Sequence, residues 1–410
     1  MRRGHRAPMS GESRRALLST AVAAGAIFVY ARLLPTTIAS SDAIAPLEYL
    51  VPAIDTKFGT KIVKVSNPGH EIPGLGLTWE RVAIHHYSID QAWNANQSLI
   101  ALDRGAKPKV FLDGKTFKPV SALSTPGEVR WHPRRSDDMI FVADHSIGLW
   151  NVRTNAVAVL KSLSDYREAS FGDHKGNPSD DGNMVAVTAR RSDGKRVVFA
   201  YNLETGEKYP DIDVSGEARV GHTTISPTGS RIVIYSRVAQ DAKSSRRRIF
   251  TTKGELLQTW TEYERPGHGD FALDLNGDEV FIGRSKSRPD RWQIIARRLA
   301  DGKVTVLSPP CSATHVSKRN LRDPEWVFAT FRSHDERPGF APYDGEVGAI
   351  SMDGKQTVRR LAQTHSVPNG YLTEPHACPS PDGQRAIFAS NWGDAAGPIA
   401  AYVAEFQQPA

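Results

Sequence analysis

The chain has 410 residues, of which 40% are hydrophobic and 24% are charged. These proportions are ordinary for a folded globular protein and argue against disorder, and the chain is long enough to bury a large core without metals or disulfides as staples. The net charge of +7 is concentrated at one end, because residues 1–45 hold six Arg while residues 46–410 hold 46 basic and 43 acidic side chains. A near-neutral remainder argues against a nucleic-acid partner.

The first 45 residues have the order of a secretory leader. Several Arg precede an apolar run, Ala16–Ala31, which is followed by small residues up to Ala45. Ser13–Leu18 reads SRRALL and is similar to the twin-arginine export motif. We therefore expect residues 1–45 to be a signal peptide or, if uncleaved, an anchor that is the chain's only membrane contact. Export follows, to the periplasm or to the periplasmic face of the inner membrane.

A turn element of Ser, Pro, Asp or Asn with Gly recurs along the rest of the chain. Successive copies end at Gly182, Gly229 and Gly277, at spacings of 47 and 48 residues. Short β-branched or aromatic runs such as Ile232–Tyr235 follow each turn, and no helical pattern intervenes. Seven copies are present, starting at Asn94, His132, Ser179, Ser226, Asp274, Lys318 and Ser380.

Four short strands per period are typical of propeller blades. The sequence therefore predicts an all-β fold, a seven-bladed β-propeller over residues 60–406, with residues 46–59 as a linker behind the leader. A β-sandwich is the alternative, but it would not explain such similar units. The last blade lacks a fourth strand, and we expect Lys61–Val65 to supply it beside Ile399–Glu405. Cys311 and Cys378 fall on inner strands of adjacent blades, so one disulfide between them is compatible with the predicted fold of an exported protein.

The turn at Ser380–Gly383 reads SPDG and precedes an apolar strand, as in the repeats of TolB-like and WD40-like propellers, which the chain resembles over residues 60–406. The WD dipeptide itself is absent. This resemblance implies the fold and is nearly silent on function, because propellers serve as enzymes and as scaffolds.

Histidines recur at the start of the predicted innermost strands, which line the central channel. Four consecutive blades would direct one imidazole each toward the same channel mouth, and converging imidazoles suit a divalent metal such as zinc or manganese. The alternative for any one of them is a hydrogen bond to a neighbouring strand. The candidate metal ligands are His222, His268, His315 and His376.

Basic segments are predicted as loops on the same rim, where an anionic ligand would be recognised. Trp392 would add a flat face of the kind that stacks on sugar rings. The alternative is that these charges are simply solvated. The candidate substrate-binding residues are Arg246, Arg247, Arg248, Arg284 and Trp392.

Together the repeat turn and the inner-strand histidines resemble the oligogalacturonate lyases, seven-bladed propellers that hold a divalent metal, typically manganese, through His residues and a Gln. The resemblance implies cleavage of uronic-acid polymers by β-elimination, in which the base is either Tyr87 or a His that does not bind the metal. The candidate catalytic residues are His86, Tyr87 and Arg265. The segments that most merit testing are Glu374–His376 and Gly267–Asp270. The alternative is a non-catalytic exported propeller that docks a glycan or a protein.

Overall fold

The computed structural model describes residues 45–103, 108–172, 175–332 and 343–407. Residues 46–407 build a seven-bladed β-propeller. The predicted leader lies, apart from Ala45, outside the described residues. Within the described ranges, no helix has the length and hydrophobicity needed to span a membrane.

Five short strands precede the first blade: β1 Ala53–Asp55, β2 Thr60–Lys64, β3 Glu71–Ile72, β4 Leu77–Thr78 and β5 Val82–Ala83. Blade 1 has an irregular inner edge, where Trp93 bridges to Ile100, followed by β6 Leu99–Leu102, β7 Lys109–Asp113 and β8 Pro119–Leu123. Blade 2 consists of β9 Glu128–Trp131, β10 Asp138–Ala143, β11 Ser146–Asn151 and β12 Ala156–Ser162. Blade 3 consists of β13 Tyr166–Ser170, β14 Met184–Arg191, β15 Arg196–Asn202 and β16 Ile212–Asp213.

Blade 4 consists of β17 Arg219–Ile225, β18 Arg231–Arg237, β19 Ser245–Thr251 and β20 Leu256–Thr261. Blade 5 consists of β21 Gly267–Leu273, β22 Glu279–Arg284, β23 Ile294–Arg298 and β24 Val304–Val306. Blade 6 consists of β25 Ala313–Ser317, β26 Trp326–Phe331, β27 Glu346–Ser351 and β28 Val358–Gln363. Blade 7 consists of β29 Cys378–Pro379, β30 Arg385–Ser390 and β31 Ile399–Glu405. Short 3-10 turns occur at Ala242–Ser244 and Tyr371–Thr373.

The recurring turn joins the first two strands of a blade, and its residue types follow from its hydrogen bonds. In blade 3 the Ser179 hydroxyl accepts from the Met184 N–H at 2.9 Å, and Gly182 has a φ of 83° that favours glycine. In blade 7 the Ser380 hydroxyl accepts from the Arg385 N–H at 3.0 Å in the same way. The periodic Ser and Gly are therefore turn residues, as the sequence predicts.

The ring closes as the sequence predicts. Strand β2 pairs antiparallel with β31, with Lys61 opposite Glu405 and Val63 opposite Val403. Residues 46–59, expected as a linker, contain β1, which pairs with β2 and adds a fifth antiparallel strand to blade 7. Hydrogen bonds to β2 explain this difference, because they satisfy backbone groups that a linker would leave to water.

Apolar side chains fill the spaces between neighbouring blades. Trp93, Phe199, Phe281 and Phe388 are among the side chains with almost no exposure. The two cysteines lie in different clusters of this core, and both are free thiols, so no disulfide links them.

Candidate metal centre and cation-lined cavity

One mouth of the channel is formed where the innermost strands of blades 4, 5 and 6 begin. Each of these strands has a register shift at its histidine: between Val220 and Thr223, between Gly267 and Asp270, and between Ala313 and His315. Such bulges re-aim side chains and are common beside active sites. The bulge therefore recurs at a similar position in three consecutive strands, with a histidine at each.

Two of the histidines also adopt a rare backbone conformation. His268 and His376 both have a φ of 47°, in the left-handed region that non-glycine residues seldom occupy. The His85 ring holds the second of these turns through a 2.6 Å contact between its Nε2 and the His376 carbonyl oxygen. Backbone strain of this kind tends to collect at functional sites.

His315, Glu374 and His376 form the tightest group of metal-type donors among the described residues, with one donor atom from each lying within 4.8 Å of the others. Glu374 Oε2 lies 3.5 Å from His315 Nε2 and 3.6 Å from His376 Nε2. The His315 and His376 rings are 4.3 Å apart between centroids, and the His268 ring is 5.2 Å from that of His315. We call His315, Glu374 and His376 the donor triad.

The imidazoles of His315 and His268 are held neutral. Burial, reinforced by the neighbouring His376 and His268, sets the pKa of His315 well below its ordinary value. Burial, with Arg284 as the next contribution, lowers the pKa of His268 to about 4 although its ring is open to the cavity beside it. Neutral imidazole is the form that binds a metal ion.

Aromatic side chains cover one side of the donor triad. The Tyr87 ring lies 5.3 Å from that of His315 and 5.1 Å from that of His376, and Tyr371 lies 4.7 Å from His376. Lys175 Nζ lies over the Tyr87 ring at 4.7 Å. Burial raises the pKa of Tyr87 far above its ordinary value, so its phenol keeps its proton at neutral pH.

A cavity of about 530 Å³ adjoins the triad on the side of blades 4 and 5. Among its described lining residues, Glu262 is the only carboxylate, and it is already bound by Arg265 and Lys286 at 2.5 Å each. A cavity with this excess of positive charge is suited to an anionic ligand. The cations that line it are Lys175, Arg219, Arg237, Arg247, Arg265, Arg284 and Lys286. We call it the cationic cavity.

The structure brings some of the candidate residues to this place and not others. Tyr87, His222, His268, Arg247, Arg265 and Arg284 line the cationic cavity. His222 lies away from the donor triad, with its ring 6.1 Å from that of Phe271. His86 lies in a separate cavity of about 230 Å³, where its Nδ1 is 2.7 Å from Asp90 Oδ2.

The basic segment of blade 4 is a strand and not the rim loop that the sequence analysis expects. Within β19, Arg246 and Arg248 both pair with Glu217, Arg248 at 2.9 Å, whereas Arg247 alternates to the face that lines the cationic cavity. A run of charges resembles a loop, but the ladder with β18 and β20 fixes it as a strand. Trp392 is stacked on Tyr402, with centroids 4.6 Å apart, and packs, partly buried, against the apolar cluster of blades 6 and 7.

Several residues of the site were not singled out individually from the sequence. Glu374 lies in irregular chain after a 3-10 turn, so no periodicity marks it. Arg219, Arg237 and Lys286 lie at or just beyond strand ends on the same mouth, which is the one signal that could have found them. Tyr235 also lines the cavity: burial alone would raise its pKa, but contacts with Ser245 and Arg237 and the nearby Arg265 lower it.

The sequence matches no protein-family model and no curated protein. Among solved structures, the chain is similar to an oligogalacturonate lyase in complex with manganese, with 14% identity, a TM-score of 0.62, and coverage of 88% of this chain and 97% of that one. It also matches a chain of a mitotic checkpoint complex (11% identity, TM-score 0.46, 90% and 98% covered) and one of Kuenenia stuttgartiensis hydrazine synthase (14%, 0.43, 78% and 96%). At 14% identity, the likeness to the lyase supports the propeller fold and nothing finer.

Proposed function

We propose that this protein is a metal-dependent lyase that cleaves an anionic, uronic-acid-containing oligo- or polysaccharide by β-elimination. The observation that carries the proposal is the donor triad beside the cationic cavity. An oligogalacturonate lyase in complex with manganese is similar in fold, with a TM-score of 0.62, and this likeness supports the same class of chemistry.

The donor triad suits a divalent cation. Both ring nitrogens of His315 are buried without a hydrogen-bond partner, which is costly unless a ligand satisfies them. Two imidazoles and one carboxylate are donors that zinc and manganese both accept. A cation bound there would act as a Lewis acid that neutralises the substrate carboxylate and acidifies the proton on the adjacent ring carbon.

The remaining tasks fall to residues of the cationic cavity. The His268 ring lies beside the His315 ring of the triad and is open to the cavity, but His268 is not itself a member of the triad. Its imidazole is therefore the proposed base that takes the proton from the ring carbon. The electron pair of that C–H bond forms the new double bond as the bond to the glycosidic oxygen breaks, and that oxygen takes a proton from water to leave as a hydroxyl group. Arg265 and Lys286 contribute positive charge at the cavity wall, which favours the anionic substrate.

The test combines metal analysis with an elimination assay. Purified protein is analysed for bound metal and then incubated with oligogalacturonate, and the unsaturated uronate product is followed by its ultraviolet absorbance. His315→Ala and His376→Ala are expected to lose metal and activity together, while His70→Ala, at an exposed position just before β3, keeps both. Metal-loaded protein that binds oligogalacturonate without cleaving it would instead support the glycan-binding propeller.

We further propose that the protein is exported and acts at the periplasmic face of the inner membrane or in the periplasm. The Arg-rich start and the apolar run of residues 1–45 support this proposal. Fractionation of cells that produce the full chain tests it, with Arg14→Lys and Arg15→Lys together expected to retain the protein in the cytoplasm if the twin-arginine route is used.

A further inference from the structure

Arg247 is a buried cation for which the described part of the chain provides no anion. Its residue exposure is 4%, its Nε and Nη1 atoms have no hydrogen-bond partner, and none of the described carboxylates forms an ion pair with it. Its neighbours Arg246 and Arg248, on the opposite face of β19, share Glu217. An uncompensated buried charge is strongly destabilising, so its presence calls for an explanation.

Aromatic rings hold the Arg247 guanidinium in place without using its donors. It lies 3.6 Å from the centroid of the Phe281 ring and 5.3 Å from that of Phe271. Stacking of this kind orients the planar group without occupying its N–H donors, and the planar fork of a guanidinium matches the geometry of a carboxylate. Beside it, His222 Nε2 is also buried without a hydrogen-bond partner.

Both groups line the cationic cavity, and the nearest acid that could neutralise Arg247 is already engaged. Glu262 is bound by Arg265 and Lys286 at 2.5 Å each. Arg247 is not part of the donor triad, whose members do not line this cavity. The cavity therefore offers an anion site separate from the candidate metal centre.

We propose that Arg247, stacked on Phe281 and assisted by His222, binds a second carboxylate of the ligand. A ligand that engages both the donor triad and Arg247 carries at least two carboxylates, so the favoured substrate is an oligouronate of two or more residues and not a single uronate. The identification of the ligand as a uronate rests on the proposed function; the anion site itself does not.

The experiment uses the chelator-treated full protein, so that no elimination occurs, and measures binding of digalacturonate by calorimetry together with the melting temperature. Arg247→Met is expected to weaken binding at least tenfold and to raise the melting temperature, because it removes an uncompensated buried charge. The matched control is Arg248→Met on the same strand, which keeps the affinity but lowers the melting temperature, because it leaves the buried Glu217 with one cation fewer. Arg247→Lys, which keeps the charge but loses the planar fork, is expected to bind with intermediate affinity.

The outcomes separate this inference from the proposed function. If Arg247→Met melts at a lower temperature than the unsubstituted protein and binds digalacturonate equally well, Arg247 is a structural cation–π residue and the inference fails. It fails also if the metal-free unsubstituted protein does not bind digalacturonate. If Arg247→Met loses binding but the metal-loaded unsubstituted protein cleaves nothing, the anion site stands and the lyase does not.

Discussion

The ion pair between Asp270 and Arg319 joins the innermost strand of blade 5 to the segment that follows the innermost strand of blade 6. The side chains are 2% and 8% exposed. Arg319 donates from Nε to Asp270 Oδ2 at 2.8 Å and from Nη2 to Oδ1 at 3.0 Å, and the backbone N–H of Lys318 donates to Oδ2 at 2.8 Å. Asp270 is two residues after His268, and Arg319 is four after His315. The pair therefore connects the segments that carry these two imidazoles.

Asp270→Asn keeps the volume, removes the charge and turns an NH₂ group toward the donors of Arg319. Breaking a buried pair by neutralising one partner costs about 3–5 kcal/mol, because the other charge stays buried. With an unfolding entropy of about 2.1 cal/mol/K per residue and roughly 360 residues, this corresponds to a fall in melting temperature of about 4–7 °C. Asp180, which interacts electrostatically with Arg319, favours the lower end of that range.

Differential scanning calorimetry of Asp270→Asn measures this fall, and Asp301→Asn is the matched control. Asp301 belongs to the same blade, and its pairing with Arg298 is exposed and screened by water, so the same change of charge should lower the melting temperature only slightly. Replacing both partners, with Asp270→Leu and Arg319→Met, should restore most of the stability, because neither member of the pair is left as an uncompensated buried charge. Equal melting temperatures for the two single variants would refute the reasoning.

Three further predictions concern other parts of the propeller. The Nδ1 atom of His132 accepts from two backbone N–H groups, and burial lowers the pKa of this histidine to about 4, below its value of about 6.5 when unfolded. Protonation therefore favours the unfolded state, and the free energy of unfolding should fall as the pH drops from about 7 to 4. The fall should be smaller in His132→Asn, whose side-chain oxygen can still accept the two hydrogen bonds. Equal slopes of melting temperature against pH in the two proteins would contradict this. A truncated chain that begins at Ser66 lacks Ile62 and Val63, whose burial stabilises the fold by about 1.5–3 kcal/mol each. Its melting temperature should lie well below that of a chain that begins at Pro46. Similar melting curves for the two chains would contradict the closure of the ring by β2. Gly269→Ala would place a methyl group 1.9 Å from the Ile282 carbonyl oxygen and should cost about 1–3 kcal/mol by chemical denaturation, whereas Gly216→Ala, which meets nothing within 4 Å, should be neutral; an equal loss in both would contradict the steric argument.

The fold could be predicted because each blade repeats the same local chemistry. Even the divergent turn of blade 6 works by similar means, since the Asn320 side chain donates to the carbonyls of Asp323 and Trp326. The first blade was harder to define, because its inner strand is reduced to a bridge at Trp93. Free cysteines could not be distinguished from a disulfide, because shared parity on inner strands does not determine the distance between blades.

The site could be predicted only where it follows the repeat. His268, His315 and His376 recur at the same stage of successive blades, and the structure places their rings in a continuous row. His222 follows the same pattern but lies one blade farther from the triad. Glu374 comes from irregular chain, and Arg247 lies within a run of arginines whose two faces can be told apart only once β19 is known to be a strand. Non-periodic residues of this kind require the three-dimensional arrangement.

Three features at this mouth lower the stability of the folded protein, and no contact among the described residues accounts for them. His268 and His376 hold left-handed backbone conformations, each worth of order 1–3 kcal/mol of strain. Both nitrogens of His315 are buried without hydrogen bonds, and Arg247 is buried without an anion. Elsewhere, left-handed residues such as Asn155 lie in tight turns, where the conformation completes the turn. Selection for folding alone would remove such costs, because proteins keep only a small margin of stability. Their concentration at one mouth of the channel supports the two ligands proposed above, a cation at the donor triad and a carboxylate at Arg247.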